Sequence, residues 1–244
     1  MTKPLKFTSW SWSRYSDYKL CPLKASLAHL EKIREPKNDA MERGALIHDQ
    51  ARDYIKGVLK KLPSALSLPL VRDELNFLKK EFKKKVLGAI VEEDWVFKND
   101  WTQTQWNDWA GAYLRVKLDA GQFEDTETFV LTDWKTGKFR AELHSEYVEQ
   151  LELYALAALV LLPHVNKVKP RLVYTDVGST FPSTMDDPVI FTRHDIIRLK
   201  KAWENRTKKM MRDSQFKPTP NDKCKWCFYG QSGKSRGGPG RCKF

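Results

Sequence analysis

At 244 residues the chain is long enough to bury a sizeable core, and its 41% hydrophobic and 12% aromatic content describes a folded globular protein. The 43 Lys and Arg residues against 31 Asp and Glu leave a net charge of +12 and a pI near 9.4, which suits a polyanionic partner and argues against a small neutral substrate. The longest apolar run, Ala155 to Leu162, is eight residues, against the ~20 needed to span a bilayer. Met1-Thr2-Lys3-Pro4-Leu5-Lys6 leads into Trp and Ser residues without a signal-peptide core, so a cytoplasmic protein with no membrane partner is expected.

Ser9, Ser11 or Ser13 can cap a first helix running to about Lys32, with Tyr15, Tyr18, Leu27 and Leu30 among its apolar positions and Pro22 setting a turn or kink inside it. A second helix is expected from about Met41 to Val58. Pro63 and Pro69 bracket a loop, and Leu70 to Leu87 reads as a charged amphipathic helix with Leu75, Leu78 and Phe82 on one side. Strands follow at about Ala89 to Phe97, Tyr113 to Ala120 and Thr128 to Trp134. Between the first two lies a polar loop carrying Trp101, Trp106 and Trp109, which either stack on bases or cover a core edge; cover is the preferred reading.

Glu146 to Leu162 reads as a helix stopped by Pro163, followed by strands near Lys169 to Asp176 and Val189 to Phe191 and a basic helix from about Asp195 to Arg212. This order predicts an α/β (mixed α+β) fold, a central mixed β-sheet flanked by helices. No Gly-rich turn follows the first strand, which excludes a dinucleotide-binding pattern. One domain over 1–244 is expected: a helical N-terminal segment to residue 40, a core over 41–215 and a Cys-rich segment over 216–244.

The chemistry concentrates in Val130-Leu131-Thr132-Asp133-Trp134-Lys135-Thr136-Gly137. Asp133 and Lys135, two apart on a strand, face one site because side chains alternate. Asp119 closes its own alternating run and can deliver a second carboxylate from a second strand. Two acids and one cation in one place suit metal-assisted phosphodiester hydrolysis, since hard oxygens hold Mg²⁺ or Mn²⁺ and a lysine neutralises phosphate or orients water. His48, in Gly44-Ala45-Leu46-Ile47-His48, lies on the second helix, and Gln150 and Tyr154 share a face of the helix after the D-x-K strand.

The ordered set G-x-x-x-H, D, D-x-K-T-G and Q-x-x-x-Y resembles the PD-(D/E)xK nuclease superfamily, and within it the RecB-like exonucleases, over nearly the whole chain from Trp10 to Cys242. Ser11-Trp12-Ser13-Arg14-Tyr15 followed by Cys21-Pro22-Leu23-Lys24 also looks like the start of such nucleases. The resemblance implies a restriction-endonuclease-like, RecB-type core. In it Asp119 and Asp133 are metal-binding carboxylates, His48 is a further ligand, Trp134 ligates through its carbonyl, and Lys135 is the catalytic cation. Gln150 and Tyr154, with Arg14, support the site or contact DNA. Two features depart from the family pattern: Leu118 precedes Asp119, and the additional upstream glutamate is either Glu92 or Glu93, only one of which can face the metal.

Cys21, Cys224, Cys227 and Cys242 are all the cysteines present, and in a reducing compartment structural disulfides are disfavoured. A C-x-x-C pair grips a soft metal centre, and four thiolates complete either a Zn²⁺ site or a [4Fe–4S] cluster. One cysteine before the core and three after it resembles the iron–sulfur members of the RecB-like group, which implies a [4Fe–4S] cluster joining the two ends of the domain. The 14 residues between Cys227 and Cys242 exceed the usual spacing, with Gly230, Gly233, Gly237, Gly238 and Gly240 able to fold this insertion back.

The reading is a Mg²⁺- or Mn²⁺-dependent DNA exonuclease acting on single strands or DNA ends in recombination, repair or replication, in a phage or bacterial setting, with a recombination or helicase protein as a further partner. The alternatives are a structure-specific or restriction-type endonuclease and a non-catalytic nucleic-acid-binding factor.

Overall fold

The computed structural model describes residues 5–182 and 189–244. The chain divides into two compact units, one formed by Met1–Lys37 with Trp203–Phe244 and the other by Asn38–Ala202.

The Asn38–Ala202 unit is built on a mixed sheet. Its strands are β1 (Ile90–Phe97), β2 (Gln103–Thr104), β3 (Leu114–Phe123), β4 (Thr128–Lys135), β5 (Lys167–Tyr174), β6 (Ser179–Phe181) and β7 (Phe191–Thr192). They lie in the order β2-β1-β3-β4-β5-β6, with β7 also pairing β5. All neighbours are antiparallel except β4 and β5, which run parallel. That parallel pair needs a crossover helix, supplied by α5 (His144–Leu161). This is the expected mixed α/β fold, a central mixed sheet flanked by helices.

Two amphipathic helices cover one face. Helix α3 (Asp39–Ile55) starts at Asn38, whose side chain accepts from Met41 N at 2.9 Å, with Asp39 and Glu42 favouring the positive end of the helix. Helix α4 (Pro69–Phe82) starts on proline, whose missing N–H costs nothing there. Ile47, Ala51, Tyr54 and Ile55 of α3 and Val71, Leu75 and Leu78 of α4 recur at helical spacing and pack on Val91, Ala120, Trp134 and Val173, one from each of β1, β3, β4 and β5. On the other face, Leu151 of α5 packs against Leu172 and Tyr174 of β5.

This layering fixes the direction of the polar residues. Because Ala120 and Trp134 pack into the core under α3 and α4, their strand neighbours Asp119, Asp133 and Lys135 turn away from that core.

In the other unit, Pro22 divides the expected first helix into α1 (Trp12–Leu20) and α2 (Pro22–Ala25), which continues as a single π-helical segment, Ser26–Leu30. Of the three candidate caps, Ser11 takes the position, accepting from Arg14 N. The part of α6 (Ile196–Arg212) in this unit contributes Trp203, which stacks on Trp10 at 5.5 Å between ring centroids and meets Tyr15 edge-on. Leu27 packs with Phe228 and Tyr229, and the Tyr18 hydroxyl donates to Asp213 at 2.7 Å.

Candidate functional site

Three strands deliver one row of carboxylates. The β1–β3 register pairs Val91 with Ala120 and Glu93 with Leu118, which sets Glu92 opposite Asp119. The β3–β4 ladder ends at Ala120 and Thr132; one step further, Asp119 and Asp133 face each other where main-chain pairing has stopped. There the Asp119 side chain takes over the lost bond, its Oδ2 accepting from Trp134 N at 2.9 Å. The Trp134 ring is buried on the opposite face, so its backbone alone takes part.

His48, from α3, brings Nδ1 to 3.3 Å from Asp119 Oδ2, and ligand atoms of His48, Glu92 and Asp119 lie within 4.8 Å of one another. Glu92 carries a left-handed backbone, φ 52°, an unfavourable conformation for a side chain of this kind and one that concentrates at functional sites. Glu93 turns elsewhere, accepting from the Trp95 indole at 3.0 Å. Of the two glutamates, Glu92 joins the cluster.

Asp133 is buried at 5% exposure. Gln150 donates to its Oδ1 at 3.1 Å and to the Tyr154 hydroxyl at 3.0 Å. Lys135 Nζ lies 2.6 Å from Asp133 Oδ2, an ion contact without a good hydrogen-bond angle, and Oδ2 has no other partner among the described residues. Burial pushes the Asp133 pKa up, and the opposing charge of Lys135 does not cancel that effect. Burial, with the charge of Asp119 added, raises Glu92. Burial opposes charge on His48, but its hydrogen bond to Asp119 and the charges of Asp119 and Asp133 outweigh it and raise its pKa.

A negative charge at Asp119 that raises both Glu92 and Asp133 favours a bound cation. Carboxylate oxygens with one imidazole fit a hard divalent ion, for which Glu92, Asp119 and His48 are the assembled donors.

A supporting contact gave no signal in the sequence. Asp176, just beyond β5, accepts two bonds from Arg43 of α3, at 2.6 and 2.8 Å, and one from Gly137 N at 2.7 Å. Gly137 has φ 84°, a conformation open to glycine at little cost, so this clamp fixes the turn that leaves Lys135. The partners are 133 and 39 positions apart from Asp176, a separation no local spacing reveals.

In the other unit all four cysteines line one cavity of about 170 Å³, with Trp226, Phe228 and Tyr229 in its wall. Thr219 N points at Cys21 Sγ at 3.5 Å and Asn221 N at Cys224 Sγ at 3.3 Å. The long insertion returns as a tight coil. Gly238 N donates to Gly233 O, side chains at Gly233 or Gly238 would strike the Phe228 carbonyl, and Cys242 N reaches Tyr229 O at 3.1 Å. Arg14 also belongs to this unit, where it bonds Ser9 Oγ at 2.7 Å and Ser9 O at 2.9 Å.

No helix among the described residues is long and apolar enough to cross a membrane. No curated protein matches the chain. Among solved structures, a candidate exonuclease from Eubacterium rectale is similar at 10% identity and a TM-score of 0.45, covering 90% of this chain and 86% of its own. The structure of SSO0001 is similar at 14% identity and a TM-score of 0.40, covering 93% and 87%. The family model of the PD-(D/E)XK nuclease superfamily matches residues 9–232, and the chain belongs to that superfamily.

Proposed function

We propose that this nuclease is a Mg²⁺- or Mn²⁺-dependent DNA exonuclease acting on single strands or DNA ends. The observation that carries the reading is the convergence of Glu92, Asp119 and His48 beside the Asp133–Lys135 pair. Nucleases of the superfamily use divalent metals and act on nucleic acid. When bound, the ion supplies Lewis-acid polarisation of the scissile phosphate and acidifies water for the attack.

The protein's residues do the positioning. Gln150, held by Tyr154, fixes Asp133, and Asp133 in turn holds the Lys135 ammonium where it can stabilise charge developing on phosphate. His48 orients Asp119, and the Trp134 N–H holds the same carboxylate from the strand side. The +12 charge of the chain supports a polyanionic substrate.

Within the same reading, the cysteine cavity holds a [4Fe–4S] cluster. Four thiolates around one cavity, two of them facing backbone N–H groups, support a soft metal centre. The order of one cysteine before the core and three after it, which resembles the iron–sulfur nucleases, is what favours a cluster over zinc.

End-labelled single strands, blunt duplex and covalently closed circles, each incubated with Mg²⁺ and with EDTA, test the activity. The expected result is metal-dependent digestion of DNA with ends and an intact closed circle. A nicked circle makes the enzyme an endonuclease, and intact DNA in every tube removes the reading. Iron analysis of protein purified without oxygen, with absorbance near ~400 nm lost in Cys224→Ser, tests the cluster; zinc at one equivalent without iron contradicts it.

A further inference from the structure

The segment between β1 and β3, which includes the short strand β2, separates its tryptophans by role. Trp101 covers the core at 6% exposure, as the sequence suggested, but Trp106 is half-buried and Trp109 stands 77% exposed. With most of its surface in water, the Trp109 ring adds little buried apolar area to the fold.

The residues beneath these rings are ordered. Leu114, Val116, Leu118 and Ala120 of β3 are buried, whereas Arg115, Lys117 and Asp119 alternate with them on the other face. The Arg115 guanidinium lies 5.5 Å from the ring centroids of both Trp106 and Trp109, and Lys117 Nζ lies 4.9 Å from Trp106. Lys117 also pairs with Asp94 at 3.1 Å, yet its side chain remains 66% exposed. The loop is held in shape by Asp108, which accepts from Thr104 Oγ1 at 2.6 Å and Gly111 N at 2.7 Å.

We propose that Trp109, Trp106, Arg115 and Lys117 form a track for single-stranded DNA that runs along β3 to Asp119. The proposal rests on the nuclease reading and adds where the strand lies and which form of DNA the enzyme prefers. Four steps along the strand lead from Arg115 to Asp119, about 14 Å at ~3.4 Å each, or about four nucleotides at the rise of a stacked strand. Exposed rings interleaved with cations are what an unpaired strand needs: bases stack on the indoles while phosphates meet the basic side chains. A duplex keeps its interior bases stacked on one another and offers Trp109 only the outer face of a terminal pair.

The test is fluorescence anisotropy of a labelled oligo(dT) and of a blunt duplex in EDTA, where cleavage does not interfere. Trp109→Ala is expected to weaken oligo(dT) binding by about 5- to 150-fold, with Trp109→Tyr recovering most of the loss and duplex affinity changing less than about twofold. Arg115→Gln is expected to lower the slope of log K against log salt by about 0.7 for the single strand. An unchanged affinity in Trp109→Ala, or an equal loss for duplex and single strand, overturns the track and leaves Trp109 as a protein-contact residue. If the unmutated protein binds neither DNA, the nuclease reading fails as well.

Discussion

Replacing Lys135 with methionine isolates the electrostatics of the site. The ammonium lies 2.6 Å from Asp133 Oδ2, an atom with no other partner among the described residues, on a carboxylate only 5% exposed. Removing one partner of a buried pair costs about 3–5 kcal/mol. Because the Lys135 side chain is 28% exposed, water reaches the site, which places the cost near 3 kcal/mol. At about 2–4 °C per kcal/mol for a chain of this size, K135M should melt about 6–12 °C lower at pH 8.

The pH dependence supplies the sharper check. Burial already raises the Asp133 pKa against the opposing pull of Lys135, and without the lysine it rises further. A carboxyl whose folded pKa exceeds its unfolded value of ~3.9 destabilises fully above the folded pKa and not at all below the unfolded one. The deficit in melting temperature should therefore shrink as pH falls from 8 toward 4, and the double variant D133N/K135M should recover most of it at pH 8. Scanning calorimetry across that range measures both effects. A deficit that stays constant with pH, with no recovery in the double variant, would refute the argument that an uncompensated buried charge is responsible.

Two further outcomes follow from other contacts. Glu92→Gln should lower kcat by about 10²- to 10³-fold, the loss typical of one preorganised electrostatic contact, whereas Glu93→Gln keeps an acceptor for the Trp95 indole and should retain activity; steady-state digestion rates decide between them. In the cysteine-bearing unit, burial pushes Asp17 up, but the hydrogen bond from His29 and the charge and hydrogen bond of Lys24 more than offset it and leave its pKa depressed. Its stabilisation is therefore present above the unfolded pKa of ~3.9 and lost as pH falls through the folded one, so Asp17→Asn should cost about 1 kcal/mol at pH 7 and progressively less as pH falls below ~3.9 in denaturant titrations.

Much of the site was legible because it obeys strand periodicity. The alternation in Leu114 to Ala120 and in Thr132 to Lys135 was enough to place Asp119, Asp133 and Lys135 on one face, and helical spacing paired Gln150 with Tyr154. The choice between Glu92 and Glu93 was not legible: it turns on a left-handed backbone at Glu92, and a glutamate gives no sign of adopting one. For the tryptophan loop cover was preferred to base stacking, yet only Trp101 among the three is buried, because composition cannot tell which rings of an irregular loop find a core to pack on. The Arg43–Asp176–Gly137 clamp joins three elements distant in sequence and was invisible to any local pattern. For Cys242 the glycines signalled a chain able to fold back, while the direction of that return depended on packing around the Phe228 carbonyl.

The proposed activity needs carboxylates from neighbouring strands to make a metal-dependent phosphodiesterase centre. Digestion of an end-labelled single strand by the unmutated protein and by Asp119→Asn, across a Mn²⁺ titration, tests it most directly. Mn²⁺-dependent release of nucleotides is expected, and Asp119→Asn should lose it by at least about 100-fold with oligonucleotide binding retained. Digestion by Asp119→Asn at the unmutated rate would contradict it.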